Sequence, residues 1–413
     1  MARQVLIIGG GASGMMAAAR AAEWGAKATL LEKMPRLASK LLLSGKGRCN
    51  FSNTAELRDF VAAFGPEGKF LYGAFSQFFR PDLLELLERF GVKAEVERGG
   101  RIFPASNRAS DVVRALRQYL HKERVQIRVE SPVDQVEVEE GRVRGVRLRS
   151  GQIVEGEACI LATGGLSYPL TGSTGDGYEI ARRLGHSIVP LRPSLVPLEV
   201  EEAWAKELQG LSLRNIKATL LSGKKQVAEE FGEMIFTHFG VSGPVILRLS
   251  RLAGKLHLRG KLTLLLNLKP ALRPEQLDKR LIRDFGKYHR RQFKHSLVDL
   301  LPRRIISPIV KLSGIPAEKP AHQITAQERR RLQNFLTHLP LTVLGPRPIE
   351  EAVVTAGGVE LAEVNPKTLE SRIISGLYFC GEILNLDGPT GGYNLQAAFS
   401  TGYLAGQAAA RAR

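Results

Sequence analysis

The feature that most constrains the fold is a glycine-rich turn near the start of the chain, Gly9–Gly14. It follows an apolar segment, Arg3–Ile8, that predicts a strand, and it leads into an alanine-rich segment, Ser13–Trp24, that predicts a helix. A second predicted strand begins at Ala26 and ends at Glu32, 18 residues after the last glycine of the turn. Strand, Gly-x-Gly-x-x-Gly turn, helix, strand and terminal acid together predict a dinucleotide-binding unit.

Each part of this pattern has a physical role in holding a nucleotide. Gly9, Gly11 and Gly14 permit a tight turn and a close approach of the backbone to a pyrophosphate. The start of the helix offers free N–H groups and the positive end of the helix dipole. Glu32 can accept hydrogen bonds from a ribose diol. The alternative, an incidental glycine-rich turn, is disfavoured by this sequence context.

Two later segments favour FAD over NAD as the bound nucleotide. Ala162–Gly165 closes a short buried strand, as in flavoproteins where the chain passes back beneath the cofactor. Tyr378–Glu382 predicts a strand that ends in Gly-Glu, where an acid usually binds ribityl hydroxyls. A small-residue helix, Ala397–Ala410, follows, and its N-terminus would stabilise an anionic reduced flavin. The sequence has no second strand–Gly-x-Gly-x-x-Gly–helix unit, so NADH or NADPH is expected to visit the flavin only transiently as reductant.

Changes in residue pattern predict four segments along the chain. Residues 1–190 are the first part of an FAD-binding domain, and residues 346–413 are its second part. Between them lie a β-rich domain, residues 191–270, and a basic helical domain, residues 271–345. The predicted fold class is therefore α/β, with a Rossmann-like, two-dinucleotide-binding FAD domain that the insertion interrupts.

Local patterns within the first segment predict several further elements. Asp82–Phe90 and Ser110–Arg124 have helical periodicity, and Ser110 is the expected N-cap of the second helix. Short strands follow from Val125 to Leu148, with Gly141-Arg142 as the turn of a hairpin.

Cysteine usage and hydropathy limit where the protein works. The three cysteines, Cys49, Cys159 and Cys380, cannot form a disulfide framework, and this favours a reducing compartment. Apolar runs in the sequence stay well short of the roughly 20 residues of a membrane span. No His, Cys or Asp cluster has the spacing of metal ligands. We therefore expect a cytoplasmic protein with no membrane partner and no metal.

The net charge of +18, with a pI near 10.0, suggests a polyanionic partner. Residues 271–345 contain 15 Lys or Arg and 6 Asp or Glu, and residues 206–261 contain 10 and 4. The densest stretch places several cations along a predicted helix face, interleaved with aromatic residues; it comprises Lys279, Arg280, Arg283, Phe285, Lys287, Tyr288, Arg290, Arg291, Phe293 and Lys294. A phosphate backbone could follow these cations, whereas a solvated helical face is the alternative. For the aromatic residues, a small core is the favoured interpretation.

Several motifs resemble the BaiN/RdsA-type family of NAD(P)/FAD-dependent oxidoreductases. The matching segments are Ser44–Asn53, Gly100–Pro104, Ala162–Gly177, Phe236–Pro244, Thr355–Val359 and Gly381–Gln396. The resemblance covers essentially the whole chain. It implies a two-part FAD domain, an inserted β-barrel-like domain and a small helical domain. Members have been linked to bile-acid reduction, to aminoacetone oxidation and to the formation of dihydrouridine in large-subunit ribosomal RNA.

The motifs and the resemblance together predict a set of residues that bind FAD. They are Gly9, Gly11, Ala12, Ser13, Gly14, Glu32, Lys33, Lys40, Ser44, Gly45, Gly47, Asn50, Val133, Thr163, Gly164, Gly165, Gly381, Glu382, Gly392, Asn394 and Leu395. The oligomeric state is left open by the sequence.

The charge pattern ranks three hypotheses for function. Reduction of a uridine in large-subunit ribosomal RNA to dihydrouridine, with NAD(P)H as electron source, comes first, because a small substrate does not require so basic an insertion. An FAD-dependent reductase or oxidase of a small molecule, either a steroid-like enone or an aminoacetone-type amine, comes second. A non-catalytic RNA-binding flavoprotein comes third.

Reduction of the uridine C5=C6 bond needs a hydride at C6 and a proton at C5. Unrelated dihydrouridine synthases use a cysteine as the acid, and Cys49 is the candidate here because it lies beside Lys46 and Arg48. Those cations would lower its pKa if they point at it. The alternative is that this loop only wraps the FAD and that Cys49 is inert. Arg48 is the second candidate catalytic residue, and it could bind a phosphate of either the substrate or the flavin.

Overall fold

The computed structural model describes residues 2–256 and 260–411. The chain divides into two compact units, one formed by Met1–Pro193 with Ile349–Arg413 and the other by Ser194–Pro348. We call them the FAD unit and the inserted unit. Within the described ranges, no helix combines the length and hydropathy needed to cross a bilayer.

Nineteen strands lie in the described part of the chain. They are β1 (Gln4–Ile8), β2 (Lys27–Leu31), β3 (Ser52–Asn53), β4 (Ala94–Glu97), β5 (Arg101–Pro104), β6 (Gln126–Arg128), β7 (Val133–Glu139), β8 (Arg142–Leu148), β9 (Ile153–Glu155), β10 (Ala158–Leu161), β11 (Ile188–Ser194), β12 (Leu198–Val200), β13 (Ser212–Ser222), β14 (Lys225–Phe236), β15 (Gly240–Ser242), β16 (Leu262–Asn267), β17 (Leu339–Pro346), β18 (Val354–Val359) and β19 (Leu377–Phe379).

Thirteen α-helices accompany them within the same ranges. They are α1 (Ala12–Glu23), α2 (Ser39–Gly47), α3 (Leu57–Ala62), α4 (Tyr72–Gln77), α5 (Arg80–Arg89), α6 (Ala109–Lys122), α7 (Asp176–Arg183), α8 (Ala203–Glu207), α9 (Pro244–Leu256), α10 (Pro274–Lys287), α11 (Arg303–Ser313), α12 (Ala326–Thr337) and α13 (Tyr393–Arg411).

The FAD unit is organised around a five-stranded parallel sheet in the order β19-β10-β1-β2-β6. Val5–Ile8 and Ala158–Leu161 are buried throughout, as expected for parallel strands that are covered on both faces. Two antiparallel sheets, β3-β5-β4 and β7-β8-β9, lie in the same unit, together with a β11-β18 pair. The predicted α/β, Rossmann-like fold class is confirmed.

Helix α1 packs closely against α13, and the small residues of both helices make this approach possible. A Cβ added at Gly402 would overlap the carbonyl oxygen of Ser13, and one added at Gly406 would overlap that of Ala17. Ala17, Ala18 and the neighbouring alanines of α1 are fully buried. The C-terminal helix therefore lies against the first helix of the nucleotide-binding motif, which brings together the two ends of the FAD unit.

The inserted unit contains a closed six-stranded barrel in the order β12-β15-β14-β13-β16-β17. The expected β-barrel-like insertion is thus present. Its last strand, β17, follows the helices α10–α12 in sequence and pairs with β16 and β12. Barrel residues such as Leu264 share one hydrophobic core with Leu281 of α10 and Ile309 of α11. The boundaries proposed for residues 191–270 and 271–345 stay a prediction.

One local prediction is wrong. Helix α6 begins at Ala109 with Arg108 as its N-cap, so Ser110 lies inside the first turn, where the backbone is already helical. The densest basic stretch does place several cations on a helix, since Lys279, Arg280, Arg283 and Lys287 belong to α10. The helix ends at Lys287, and Arg290 lies in the turn beyond it.

The aromatic residues of the basic stretch divide by environment. Phe285 and Phe293 are buried with ring centroids 6.2 Å apart, which agrees with the interpretation of a small core. Tyr288 is half-buried, and its hydroxyl donates to Asp299 Oδ2 at 2.7 Å.

His186 should make the FAD unit sensitive to acid. Its ring is buried between Glu363 Oε2 at 3.0 Å and Ser371 Oγ at 2.8 Å. Burial lowers the pKa of His186 below its ordinary 6.5, although the Glu363 hydrogen bond opposes this shift. As the pH falls, the unfolded chain therefore binds a proton on His186 before the folded chain does. The contribution of His186 to the free energy of unfolding is complete above about pH 6.5 and declines as the pH falls below it. We expect His186→Gln to flatten the fall in melting temperature between about pH 6.5 and 5.5, where wild type loses up to about 1.4 kcal/mol per pH unit. Parallel pH profiles would contradict this assignment.

Candidate FAD-binding site

The turn between β1 and α1 has room for a pyrophosphate at one specific glycine. Gly9 has φ +104°, and an added Cβ would lie 2.5 Å from the carbonyl oxygen of Ala162. A Cβ at Gly14 would overlap the carbonyl oxygen of Gly9. A Cβ at Gly11, in contrast, meets no atom within 4 Å. At Gly9 and Gly14 the protein backbone therefore leaves no room for a side chain. Gly11 instead faces open space at the start of α1, where Ala12 and Ser13 form the first turn.

The N-terminus of α1 has the electrostatics that an anionic ligand requires. Gly11 is its N-cap, the helix has no side-chain cap, and its first turn has no acidic residue. The first N–H groups of a helix have no partner within the helix, and they lie at the positive end of its dipole. These donors fit the pyrophosphate of FAD.

Glu32 is held rigidly at the end of β2. Its Oε2 accepts from the Gly10 N–H at 2.6 Å, and its Oε1 accepts from the Met34 N–H at 2.8 Å. The side chain is buried, with 9% of the residue exposed. Each carboxylate oxygen keeps a second lone pair, so Glu32 can still accept hydrogen bonds from ribose hydroxyls.

Lys40 and Glu382 form a polar network with two residues that the sequence interpretation missed. Lys40 Nζ donates to Glu382 Oε2 at 2.6 Å and to Ser167 Oγ at 2.7 Å. Glu382 Oε1 accepts from Ser167 Oγ at 3.0 Å and from the Thr355 N–H at 2.8 Å. A Cβ at Gly165 would overlap Thr355 Oγ1. Ser167 and Thr355 both lie inside motifs that carry the family resemblance, and this was the signal that could have identified them.

Two buried hydroxyls supply an independent test of whether FAD fits. Ser39 Oγ and Thr163 Oγ1 are buried and have no hydrogen-bond partner among the described residues. Buried hydroxyls almost always have partners, so these two are candidates to bind a ligand. Ser39 is the first residue of α2, the helix that follows β2 and Glu32 in the chain, and Thr163 follows β10 beside Gly9. Both positions belong to the elements that carry the nucleotide motif, so the donor set fits FAD.

The loop from Ser44 to Asn50 includes the last residues of α2, whose backbone is not helical at Ser44, Gly45 and Lys46. Gly45, Lys46, Gly47 and Cys49 have φ values of 57°, 59°, 81° and 62°. Left-handed conformations are unfavourable for residues other than glycine, and they cluster at ligand-binding sites. Asn50 fixes the end of the loop, because its Nδ2 donates to the carbonyls of Ser52 at 3.0 Å and Ile102 at 2.9 Å.

The C-terminal motif meets both the first helix and strand β3. Gly381 has φ +79°, and a Cβ there would overlap Ser13 Oγ. A Cβ at Gly392 would overlap the backbone of Ser52. Asn394 holds the preceding turn, with Oδ1 accepting from the Gly388 N–H at 2.7 Å, and Leu395 packs against the core of the unit.

Three predicted residues have other surroundings. Lys33 pairs with Asp176 at 2.8 Å and also contacts Thr174. Val133 begins β7 in the antiparallel sheet β7-β8-β9. Gly164, with φ +74°, would place a Cβ 3.1 Å from Ser173 Oγ. Direct contact of these residues with FAD stays a prediction.

Arg48 does not point towards Cys49. Its guanidinium contacts Glu97, donates through Nε to Asn107 Oδ1 at 2.7 Å, and lies 4.1 Å from the ring centroid of Phe103. Cys49 is 0% exposed, and burial raises the pKa of its thiol to about 12, although a hydrogen bond with Ser44 opposes the shift. The condition for a lowered Cys49 pKa, cations that point at the thiol, is therefore not met, and desolvation sets the direction of the shift. The catalytic assignments of Cys49 and Arg48 stay predictions.

The native protein should resist thiol labelling. Cys49, Cys159 and Cys380 are all 0% exposed, and burial raises the pKa of each thiol. We expect iodoacetamide at pH 8 to label fewer than about one in ten of these thiols within an hour, and to label all of them after denaturation. Mass spectrometry of the cysteine peptides makes the measurement. Selective native labelling of Cys49 would contradict its burial and strengthen the catalytic hypothesis.

The sequence matches one protein family and is similar to several named proteins. A family described as HI0933-like protein Rossmann domain matches residues 3–408. The chain is 34% identical to the 3-dehydro-bile acid delta(4,6)-reductase of Clostridium scindens, over 98% of each chain. It is 31% identical to the ribosomal RNA dihydrouridine synthase of Haemophilus influenzae, over 96% of each chain. It is 30% identical to the Escherichia coli protein of the same name, over 97% of this chain and 96% of that one.

Solved structures share the fold at low sequence identity. The 3-ketosteroid delta1-dehydrogenase of Sterolibacterium denitrificans is 14% identical with a TM-score of 0.55, over 99% of each chain. The 3-ketosteroid-delta4-(5alpha)-dehydrogenase of Rhodococcus jostii is 14% identical with a TM-score of 0.52, over 99% of this chain and 97% of that one.

Proposed function

This chain belongs to the HI0933-like Rossmann family of FAD-dependent oxidoreductases, and on that premise we propose that it reduces a carbon–carbon double bond conjugated to a carbonyl group. The proposed substrate is a uridine of large-subunit ribosomal RNA, with NADH or NADPH as the transient electron source. Bound FAD would supply the hydride acceptor and donor chemistry that such a reduction requires.

The names of the relatives support this reaction class. One relative is a delta(4,6)-reductase of a 3-dehydro bile acid, and two are dihydrouridine synthases. In both substrates the double bonds are conjugated to a carbonyl, so a hydride adds at an electron-poor carbon of the conjugated system, the β carbon in uridine, and a proton adds to the resulting enolate. The same flavin chemistry can therefore serve either substrate, and the identity of the substrate depends on what the rest of the chain binds.

The charge of the inserted unit is the observation that carries the RNA proposal. Residues 194–348 contain 27 Lys or Arg and 13 Asp or Glu, so they account for +14 of the net +18. Ion pairs neutralise some of these cations, for example Arg280 with Asp284 and Lys287 with Asp299. Exposed cations remain that have no ion pair within the described residues, and they include Lys279, Arg290, Arg330 and Arg331. Such cations add affinity for a phosphate backbone.

A base stacked inside an RNA helix cannot reach a flavin. The enzyme must act on an unfolded segment or on a nucleotide that has left its stack. We therefore propose that the substrate is free or immature ribosomal RNA. Higher activity on naked large-subunit RNA than on intact large subunits supports this part of the proposal, and equal activity on both counts against it.

Reduction of a small enone is the second candidate function. The observation that favours it is the 34% identity to the bile-acid reductase over 98% of each chain. A neutral or singly charged steroid gains little from the basic inserted unit, so this candidate gives no account of the charge distribution.

The first test is nucleoside mass spectrometry of ribosomal RNA from a strain that lacks the gene and from its parent. We expect the deletion strain to lose one dihydrouridine and to regain it with the wild-type gene. Purified FAD-loaded protein with NADH or NADPH should then restore dihydrouridine in RNA from the deletion strain. An unchanged profile, in a parent that carries the modification, overturns the RNA substrate. Rapid reduction of a 3-oxo-delta-4 steroid in parallel would then establish the second candidate.

A further inference from the structure

A cavity of about 310 Å³ lies in the inserted unit, beside the start of helix α11. Its polar lining comes from Ser212 and Arg214 of β13 and from Lys269, which follows β16, and Pro302 also lines it. Leucine and isoleucine side chains complete the wall. A cavity of this size is at the lower end of those that hold small ligands. None of the predicted FAD-binding residues belongs to it.

Lys269 gives the cavity an uncompensated positive charge. The residue is half-buried, and within the described chain no carboxylate forms an ion pair with it. Burial lowers the pKa of its amine, and the charge of Arg280 lowers it further. Arg280 has its own carboxylate, Asp284, at 2.7 Å. A half-buried ammonium beside a guanidinium is unfavourable unless an anion joins it.

The start of α11 adds to this positive potential. Pro302 is the N-cap of the helix, and the Ile305 N–H donates to the Pro302 carbonyl oxygen at 3.2 Å, which leaves the N–H groups of Arg303 and Arg304 for a ligand. The first turn has no acidic residue to complement the dipole, and it has Arg303 and Arg304 instead. Arg304 donates to the carbonyl oxygens of Glu207 at 3.3 Å and Gln209 at 2.9 Å. These bonds hold the first turn of α11 beside the segment that leads into β13.

The cavity also borders an irregularity in the barrel. The pairing of β13 with β14 shifts register between Leu213 and Ile216, so Arg214 and Asn215 form a bulge. Asn215 has φ +53°, a left-handed conformation. Bulges are common next to functional sites, because they redirect a side chain out of the regular alternation of the strand. Arg214 is exposed at this bulge.

We propose that this cavity binds a phosphate group, held by Lys269, Arg214, Ser212 and the first N–H groups of α11. In the RNA reaction the cavity binds one phosphodiester of the substrate strand, and this assignment to RNA rests on the proposed function. The same chemistry would accept the phosphate of a free compound.

The first experiment measures the reactivity of Lys269 towards reductive methylation by peptide mass spectrometry. The protein is the full FAD-loaded chain, and the probes are inorganic pyrophosphate and a single-stranded oligouridylate. We expect each probe to slow methylation of Lys269 at least about fivefold, while methylation of Lys224 at the tip of the β13–β14 hairpin slows less. Protection by pyrophosphate alone overturns the assignment of the site to an RNA phosphodiester, while the phosphate site itself stands. Protection by neither probe overturns the site.

The second experiment compares variants of equal net charge in fluorescence-anisotropy titrations with the oligouridylate. Lys269→Gln should weaken binding about tenfold relative to Lys224→Gln, and it should reduce the slope of log affinity against log salt by about 0.7. Arg214→Gln alters an exposed residue and tests the same site if Lys269→Gln lowers the melting temperature. Equal affinities of the Lys269 and Lys224 variants for the oligouridylate overturn the assignment of the site to an RNA phosphodiester. If wild type neither binds nor modifies RNA, the proposed function fails, and pyrophosphate protection of Lys269 still decides the phosphate site.

Discussion

Gly11→Ala is expected to yield a folded protein that binds FAD about 100-fold more weakly, a loss of about 2.7 kcal/mol. The methyl group meets no protein atom within 4 Å, and the backbone of Gly11, with φ −81° and ψ −170°, is accessible to alanine. The protein alone therefore gives no reason for a loss of stability. The methyl group instead enters the space at the start of α1, where it would displace the pyrophosphate from charge-assisted N–H bonds. Flavin fluorescence titration of the apoprotein, with melting curves recorded in parallel, makes the measurement.

Two glycine variants control this experiment. A Cβ at Gly286, inside α10, also meets nothing within 4 Å, so Gly286→Ala should leave FAD binding unchanged and stabilise the protein by about 0.5–1 kcal/mol. A Cβ at Gly14 would overlap the carbonyl oxygen of Gly9, so Gly14→Ala should lower stability as well as FAD binding. Normal FAD affinity in Gly11→Ala would place the pyrophosphate away from this turn.

The parts of the FAD unit that the sequence predicts well are those with local geometric requirements. A tight strand-to-helix turn needs Gly9 in a left-handed conformation. The position of Glu32 after the next strand likewise depends only on the local sequence. Periodicity likewise identified helices such as α6 to within a few residues, because one apolar face must be buried. The exact cap of that helix was wrong, since an N-cap depends on the backbone of the preceding loop.

Contacts between distant parts of the chain were not predictable in this way. Lys40 and Glu382 are 342 residues apart, and Lys33 and Asp176 are 143 residues apart. Nothing in the local pattern of either partner specifies the other. Conversely, residues that are adjacent in sequence can have side chains in different surroundings. The Arg48 side chain contacts Glu97, whereas the Cys49 side chain is buried in the core. Sequence proximity was therefore a poor guide to the pKa of Cys49.

The same limit applies to the barrel. Strand β17 closes it only after the helices α10–α12, and its pairing with β16 and β12 joins segments on both sides of those helices. A single sequence shows the apolar alternation of a strand but not its neighbours in the sheet. The basic character of the insertion, in contrast, is a property of composition and was visible at once, although the ion pairs that neutralise part of it were not.

Neutralising exposed cations of the inserted unit is expected to separate the two candidate functions. The variant changes Lys279, Arg290, Arg330 and Arg331 to glutamine. We expect it to bind large-subunit RNA at least about 100-fold more weakly near 150 mM salt and to lose a comparable factor in kcat/KM for RNA. If each side chain meets one phosphate of a single strand, the slope of log affinity against log salt falls by about 0.7 per residue. Reduction of a small enone should change by less than about twofold, since screened surface charges barely affect a neutral substrate.

The matched control lowers the net charge equally on the FAD unit. It changes Lys27, Lys69, Lys93 and Arg117, which are exposed and form no ion pair within the described residues, to glutamine. If only long-range attraction by the net charge matters, both quadruple variants weaken RNA binding equally, and the inserted unit has no special role. If the inserted unit forms the contact, the control keeps most of the affinity and most of the salt slope. Because the flavin absorbance and the enone activity report on the FAD unit separately, a loss confined to RNA cannot be attributed to damage at the cofactor, and it would identify the insertion as the part of the chain that selects the substrate.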